Sequence, residues 1–218
     1  MGIVLSSQSG LHPYCPVDTN ADMRTVLNNR LLLWVLLAIP AVAMLWAWLN
    51  GTTDAADLLH PSGEFSARLM IVAMMIAPLI AVVGAHGWLR WLLARRRALG
   101  VAAFGYALLH LVLYVVDMGL IADMLAEVGA PGIWTGWLAF ALMVPLALSS
   151  NDASMRLLRA GWKRVQRLAY PVAVLTLAHW VFVHNNVAAA LAHFAPLALV
   201  LVWRLIISPR KPLQGAHP

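Results

Sequence analysis

Six apolar stretches, at about residues 31–49, 67–89, 98–118, 133–148, 168–183 and 187–207, make up most of this chain and are separated by short polar segments. A helix needs about 20 mostly apolar residues to cross bilayer hydrocarbon. Because no water is available there to satisfy backbone amides, such stretches fold as helices. With 62% of residues hydrophobic and 11% charged, a soluble domain is excluded. The expected fold is an all-α integral membrane protein, a six-transmembrane-helix bundle at residues 31–207. It lies between a polar N-terminal arm, residues 1–30, and a basic C-terminal tail, residues 208–218.

The segments between the spans carry the punctuation. Residues 1–29 are polar and hold Pro13, Pro16, Asp18 and Asp22 without an apolar centre, so the first span is expected to direct insertion and to stay. Residues 50–64 read as a polar loop, Arg95, Arg96 and Arg97 as a tight basic turn, and residues 117–132 as an acidic loop. Ser149-Ser150-Asn151-Asp152 reads as a helix stop followed by a new N-cap. Residues 153–167, with Arg156, Arg159, Lys163, Arg164 and Arg167, then read as an amphipathic interfacial helix. Pro40, Pro78 and Pro145 fall inside spans, where neighbouring helices can satisfy the freed backbone groups.

Charge sets the orientation. Of fifteen Lys and Arg residues, only Arg68 falls on the side of Asp54, Asp57, Glu64, Asp117, Asp123 and Glu127. Positive residues stay in the cytoplasm, so both termini are expected there. The net charge of +6 is thus a topology signal rather than a sign of nucleic-acid binding, although the basic face suits anionic lipid or an acidic partner.

Two histidines lie deep within spans, His110 and His179. The first is thirteen residues after Arg97 and the second twelve after Arg167, so both stand roughly 18–20 Å above the basic ends of their helices. At one depth they either clamp a single iron or hydrogen-bond between helices. His12 and His217 lie in the tails, and His86 near Arg90 reads as a cap. His60 and His184 read as interfacial residues near a cofactor's outer edge, and His193 as an interfacial residue one to two turns into the sixth span from the same side. A zinc site asks for more ligands than spans without acidic residues supply, and the lone cysteine, Cys15, permits neither an internal disulfide nor paired-cysteine haem attachment. A proton- or ion-coupled transporter would carry carboxylates or paired helix breaks within its spans. Two imidazoles in a dry, aromatic-lined bundle suit a b-type haem. Gly105 would let the macrocycle lie close to the third span, with Tyr106 and Tyr114 on the same face. Arg68 either pairs with haem propionates or snorkels to the interface.

The order and spacing of Leu59-His60-Pro61-Ser62-Gly63, Ala77-Pro78-Leu79, Arg96-Arg97-Ala98-Leu99-Gly100, Leu109-His110-Leu111, Ser149-Ser150, Trp162, Tyr170 and His179-Trp180 resemble the ferric-reductase-like transmembrane family. The resemblance is greatest to its MsrQ/YedZ branch, haem-binding membrane subunits of periplasmic methionine sulfoxide reductases. It implies a haem protein that passes electrons from a quinol or a cytoplasmic flavin (FMN) donor toward an outer-side redox acceptor such as a periplasmic reductase. The implied haem ligands are His110 and His179, and the implied site is the bacterial inner membrane. Where that branch has a further histidine thirteen residues before His179, this chain has Gln166, so one haem per chain is expected. No nucleotide fingerprint is present, and partners must supply and remove the electrons. The contrasting expectation is a haem-free structural or partner-binding subunit.

Overall fold

The structure, a computed structural model, describes residues 29–184 and 186–207. The expectations placed on His12, Cys15, Arg24, Arg210, Lys211 and His217 lie outside these residues. Every regular element among the described residues is helical: α1 (Arg30–Leu49), α2 (Ala55–Val83), α3 (Gly87–Met118), α4 (Ile121–Glu127), α5 (Pro131–Leu148), α6 (Asp152–Leu158), α7 (Ala160–Gln166), α8 (Ala169–His184) and α9 (Val187–Ile207). Five of them, α1, α2, α3, α5 and α9, are long and apolar enough to cross a membrane. The described residues are those of an all-helical integral membrane protein. The remaining expected crossing corresponds to α8, which has 16 residues, fewer than the about 20 of a typical span.

The chain falls into two units, Met1–Leu36 and Leu37–Pro218. The described part of the first is the start of α1, where the Asn29 side-chain oxygen accepts from the Leu31 N–H at 2.9 Å, a capping contact. The second unit holds all the elements that follow.

Several boundaries depart from the sequence reading. Residues 55–64, expected as loop, are the first turns of α2, because Ala55 and Leu58 are buried against Leu113 of α3 and that packing overrides their polar neighbours. Arg95, Arg96 and Arg97, expected as a turn, lie inside α3. The chain reverses earlier, at Gly84, whose φ of +92° is accessible to glycine at little cost. Arginine is a good helix former, and here the cluster has partners on helices: Arg96 Nε donates to the Ala73 carbonyl at 2.8 Å, and Arg95 stacks on Trp91 at 3.8 Å. The acidic loop contains α4. The interfacial helix is two short helices, broken at Arg159 with φ +46°. Asn151 caps α6 by accepting from the Ser154 N–H at 2.7 Å.

Two antiparallel helix pairs frame the core. Between α2 and α3, bonds recur every seven residues: Leu59 O with His110, Ser66 with Ala103 O at 2.8 Å, and Ala73 O with Arg96. Seven residues are close to two turns, so one face of each helix stays in register with the other. α5 and α8 also run antiparallel, with Gly132 against Val183 and Gly136 against His179, and α9 packs on α2 and α8. Ala67, Ala103 and Ala190 are at most 1% exposed, and such small residues let membrane helices approach closely.

The Tyr106 hydroxyl reaches into the turn at Pro40 of α1. It accepts from the Ala41 N–H at 3.1 Å and donates to the Leu37 carbonyl at 2.8 Å, the two groups that an uninterrupted helix would join directly. A neighbouring helix thus bridges the backbone bond left open one residue beyond Pro40.

Candidate functional site

His110 on α3 and His179 on α8 face each other across a cleft bounded by α2, α3, α5 and α8, with ring centroids 6.1 Å apart and ring planes at 84°. Both rings are held in the same way. His110 Nδ1 donates to the Leu59 carbonyl at 2.9 Å, and His179 Nδ1 donates to the Gly132 carbonyl at 2.7 Å. A carbonyl can only accept, so Nδ1 carries the proton in each ring and the Nε2 lone pair is left for a metal.

Glycine makes this closeness possible. A Cβ on Gly63 would stand 3.2 Å from His110 Nδ1, and one on Gly136 would stand 2.7 Å from His179 Nδ1. The second distance is shorter than real Cβ contacts reach, so Gly136 admits the His179 ring to its place.

The separation suits one shared metal. With imidazole–metal bonds of about 2.0 Å, the length known at zinc, two opposed nitrogens lie about 4 Å apart and their ring centroids about 6.2 Å apart. The observed 6.1 Å agrees. A second histidine pair provides the contrast: His60 Nδ1 and His184 Nε2 are 3.3 Å apart, close enough to share a hydrogen bond and too close to ligate one metal from opposite sides.

No group of three or more His, Cys, Asp or Glu side chains able to hold a metal ion occurs among the described residues. A metal seated between two imidazoles alone must bring its remaining ligands with it, as a porphyrin does. The slot fits that flat apolar group, with Ala107, Leu111, Ile133, Phe140 and Met143 on its walls. At its edge the Tyr114 hydroxyl is buried without a hydrogen-bond partner among the described residues. A carboxylate such as a propionate would satisfy it.

The other expected site residues are dispersed. Arg68 is outside the slot, ion-paired with Glu64 and donating to His193 Nε2 at 3.3 Å. Gly105 is on an exposed face of α3 with open space around it, and Tyr106 points toward α1. Neither lines the cleft. His193 stacks on Trp180 at 4.8 Å and lies 3.2 Å from Glu64, so His60, Glu64, Arg68, His184 and His193 form one polar cluster at the mouth. Gln166 donates to Ser149 Oγ at 3.0 Å, and His86 bonds the Val83 carbonyl in the turn between α2 and α3. Sequence reasoning gave no role to Thr135 and Gly136, and placed Ser62 and Gly63 only within a motif. The available signal was a pair of hydroxyl–glycine dipeptides in apolar surroundings.

These features define a helical membrane protein with a two-imidazole site at the centre of its bundle. The chain belongs to the family described as ferric reductase like transmembrane component, which matches residues 62–177 and so includes His110. It is similar to proteins named protein-methionine-sulfoxide reductase heme-binding subunit MsrQ. The one from Xanthomonas campestris pv. campestris (strain 8004) is 34% identical over 159 residues, 71% of each chain. The one from Azospira oryzae is 32% identical over 195 residues, 85% of this chain and 81% of the relative. The one from Xanthomonas euvesicatoria pv. vesicatoria is 31% identical over 182 residues, 77% of this chain and 82% of the relative. No solved structure matches the chain.

Proposed function

We propose that this chain is the haem-binding, electron-transferring membrane subunit of a methionine sulfoxide reductase system, holding one b-type haem between His110 and His179. The observation that carries this reading is the facing pair of Nδ1-anchored imidazoles at 6.1 Å, and the names of the similar proteins support it. Bound there, a haem supplies one-electron chemistry whose potential its axial ligands and surroundings set. The chain's own residues hold and orient it. Leu59 and Gly132 fix the imidazole tautomers, the apolar walls exclude water, and the Tyr114 hydroxyl would be the donor for a propionate.

We further infer six crossings, with α8 completing the set, and both termini on the cytoplasmic side of a bacterial inner membrane, as the one-sided Lys and Arg distribution favours. Electrons then enter from a quinol or from a flavin against the basic face and leave at the end bearing His60 and His184, toward a periplasmic reductase. Substituting either ligand tests the core of this reading. His110→Ala and His179→Ala should each abolish the reduced haem bands while the protein still inserts, and full haem content in both variants would overturn it. A haem-free structural subunit is the outcome if the purified wild-type protein has no visible spectrum.

A further inference from the structure

The two imidazole supports share a detail that reaches beyond the imidazoles. On α2 the acceptor carbonyl belongs to Leu59, a hydroxyl follows at Ser62 and a glycine at Gly63. On α5 the acceptor belongs to Gly132, with Thr135 and Gly136 at the same offsets. Ser62 Oγ donates to the Leu59 carbonyl at 2.9 Å and lies 3.3 Å from His110 Nδ1. Thr135 Oγ1 is 2.8 Å from the Gly132 carbonyl and 2.7 Å from that of Pro131. Ser62 is fully buried and Thr135 is 3% exposed.

Serine and threonine often bond a carbonyl one turn back in a helix, with no consequence beyond a slight bend. Here, on α2, that carbonyl is also the one that holds the opposing imidazole, and on α5 the Thr135 proton is shared between the carbonyl that does so and that of Pro131. An acceptor shared between an O–H and an N–H draws less strongly on each proton. The partner of a ligating imidazole's N–H governs the basicity of the ring and hence how strongly it donates to the metal.

We propose that Ser62 and Thr135 are a matched pair of positioning residues that hold the reduction potential of the site up, by limiting the pull of the Leu59 and Gly132 carbonyls on the two Nδ1 protons. This rests on the reading that His110 and His179 carry haem. Without the hydroxyl, each carbonyl serves its imidazole more fully, the ring becomes a stronger donor, and the ferric state gains relative to the ferrous. The midpoint potential therefore falls. The two supports act on opposite ligands of one metal, so their effects add.

The test is a redox titration of the purified, haem-loaded full-length protein. Ser62→Ala and Thr135→Val should each lower the midpoint, and the double variant should lower it further than either. Ser62→Thr and Thr135→Ser, which keep the hydroxyls, should titrate as wild type; a purely structural role would not separate these classes. Should Ser62→Ala lose haem, Ser62→Cys carries the same expectation, since a thiol keeps the volume and donates weakly. Unchanged midpoints in both single variants and the double variant at full haem content would overturn the proposal. If His110→Ala and His179→Ala keep the low-spin spectrum, the underlying reading has failed; if they lose it and the hydroxyl variants do not move the midpoint, only this inference has.

Discussion

At the residue scale the site depends on side chains that are missing as much as on those present. Gly136→Ala places a methyl 2.7 Å from His179 Nδ1, against 3.2 Å for Gly63→Ala beside His110. The first should therefore reduce haem retention roughly tenfold or more, equivalent to about 1.4 kcal/mol, and the second less. Gly105→Ala meets open space and should leave the haem content of the purified protein unchanged, which a pyridine-haemochrome assay of the three variants checks. That His110 and His179 meet agrees with their similar spacing from Arg97 and Arg167, although Arg97 lies inside α3 and is not its end. The glycines that admit the rings were not legible, since which helix packs on which is a property of tertiary contact. Gly105 looked suitable by its distance from His110, but its side of the helix faces away from the cleft. Arg68 was legible as the lone basic residue of its side, yet nothing in its spacing foretold that Glu64 would pair with it. Arg68→Ala should loosen the cluster at the mouth and leave Glu64 without its cation; a haem content or midpoint unaltered by that change would separate Arg68 from the cofactor.

Element by element, apolar length was a dependable guide to which segments are helical and a poor one to where they end. Ala55 and Leu58 extend α2 backwards because a partner helix buries them. Gly84 sets the reversal before α3 because its φ suits glycine, whereas the arginines after it favour helix. Tyr106 illustrates the same limit. Its hydroxyl completes the α1 backbone at Pro40, so Tyr106→Phe should cost about 2 kcal/mol of stability, the size of two lost hydrogen bonds. It should do so without loss of haem, and thermal unfolding followed beside the haem absorbance measures the two together.

For the whole molecule, the arrangement favours a single haem. His110 with His179 is the facing pair among the described residues spaced to hold a metal from opposite sides, because His60 and His184 touch and Gln166 is bonded to Ser149. Haem measured against protein by amino-acid analysis should give a ratio near one, and Gln166→Ala should leave that ratio unchanged. A reproducible ratio near two would defeat the claim. The 84° between the two imidazole planes carries a magnetic consequence. With both rings on one haem iron, each would destabilise a different d orbital of the pair that shares the unpaired electron, and perpendicular rings would leave that pair nearly degenerate. The frozen ferric protein should therefore show a broad, strongly anisotropic low-field resonance, in place of the rhombic three-line spectrum that parallel rings produce.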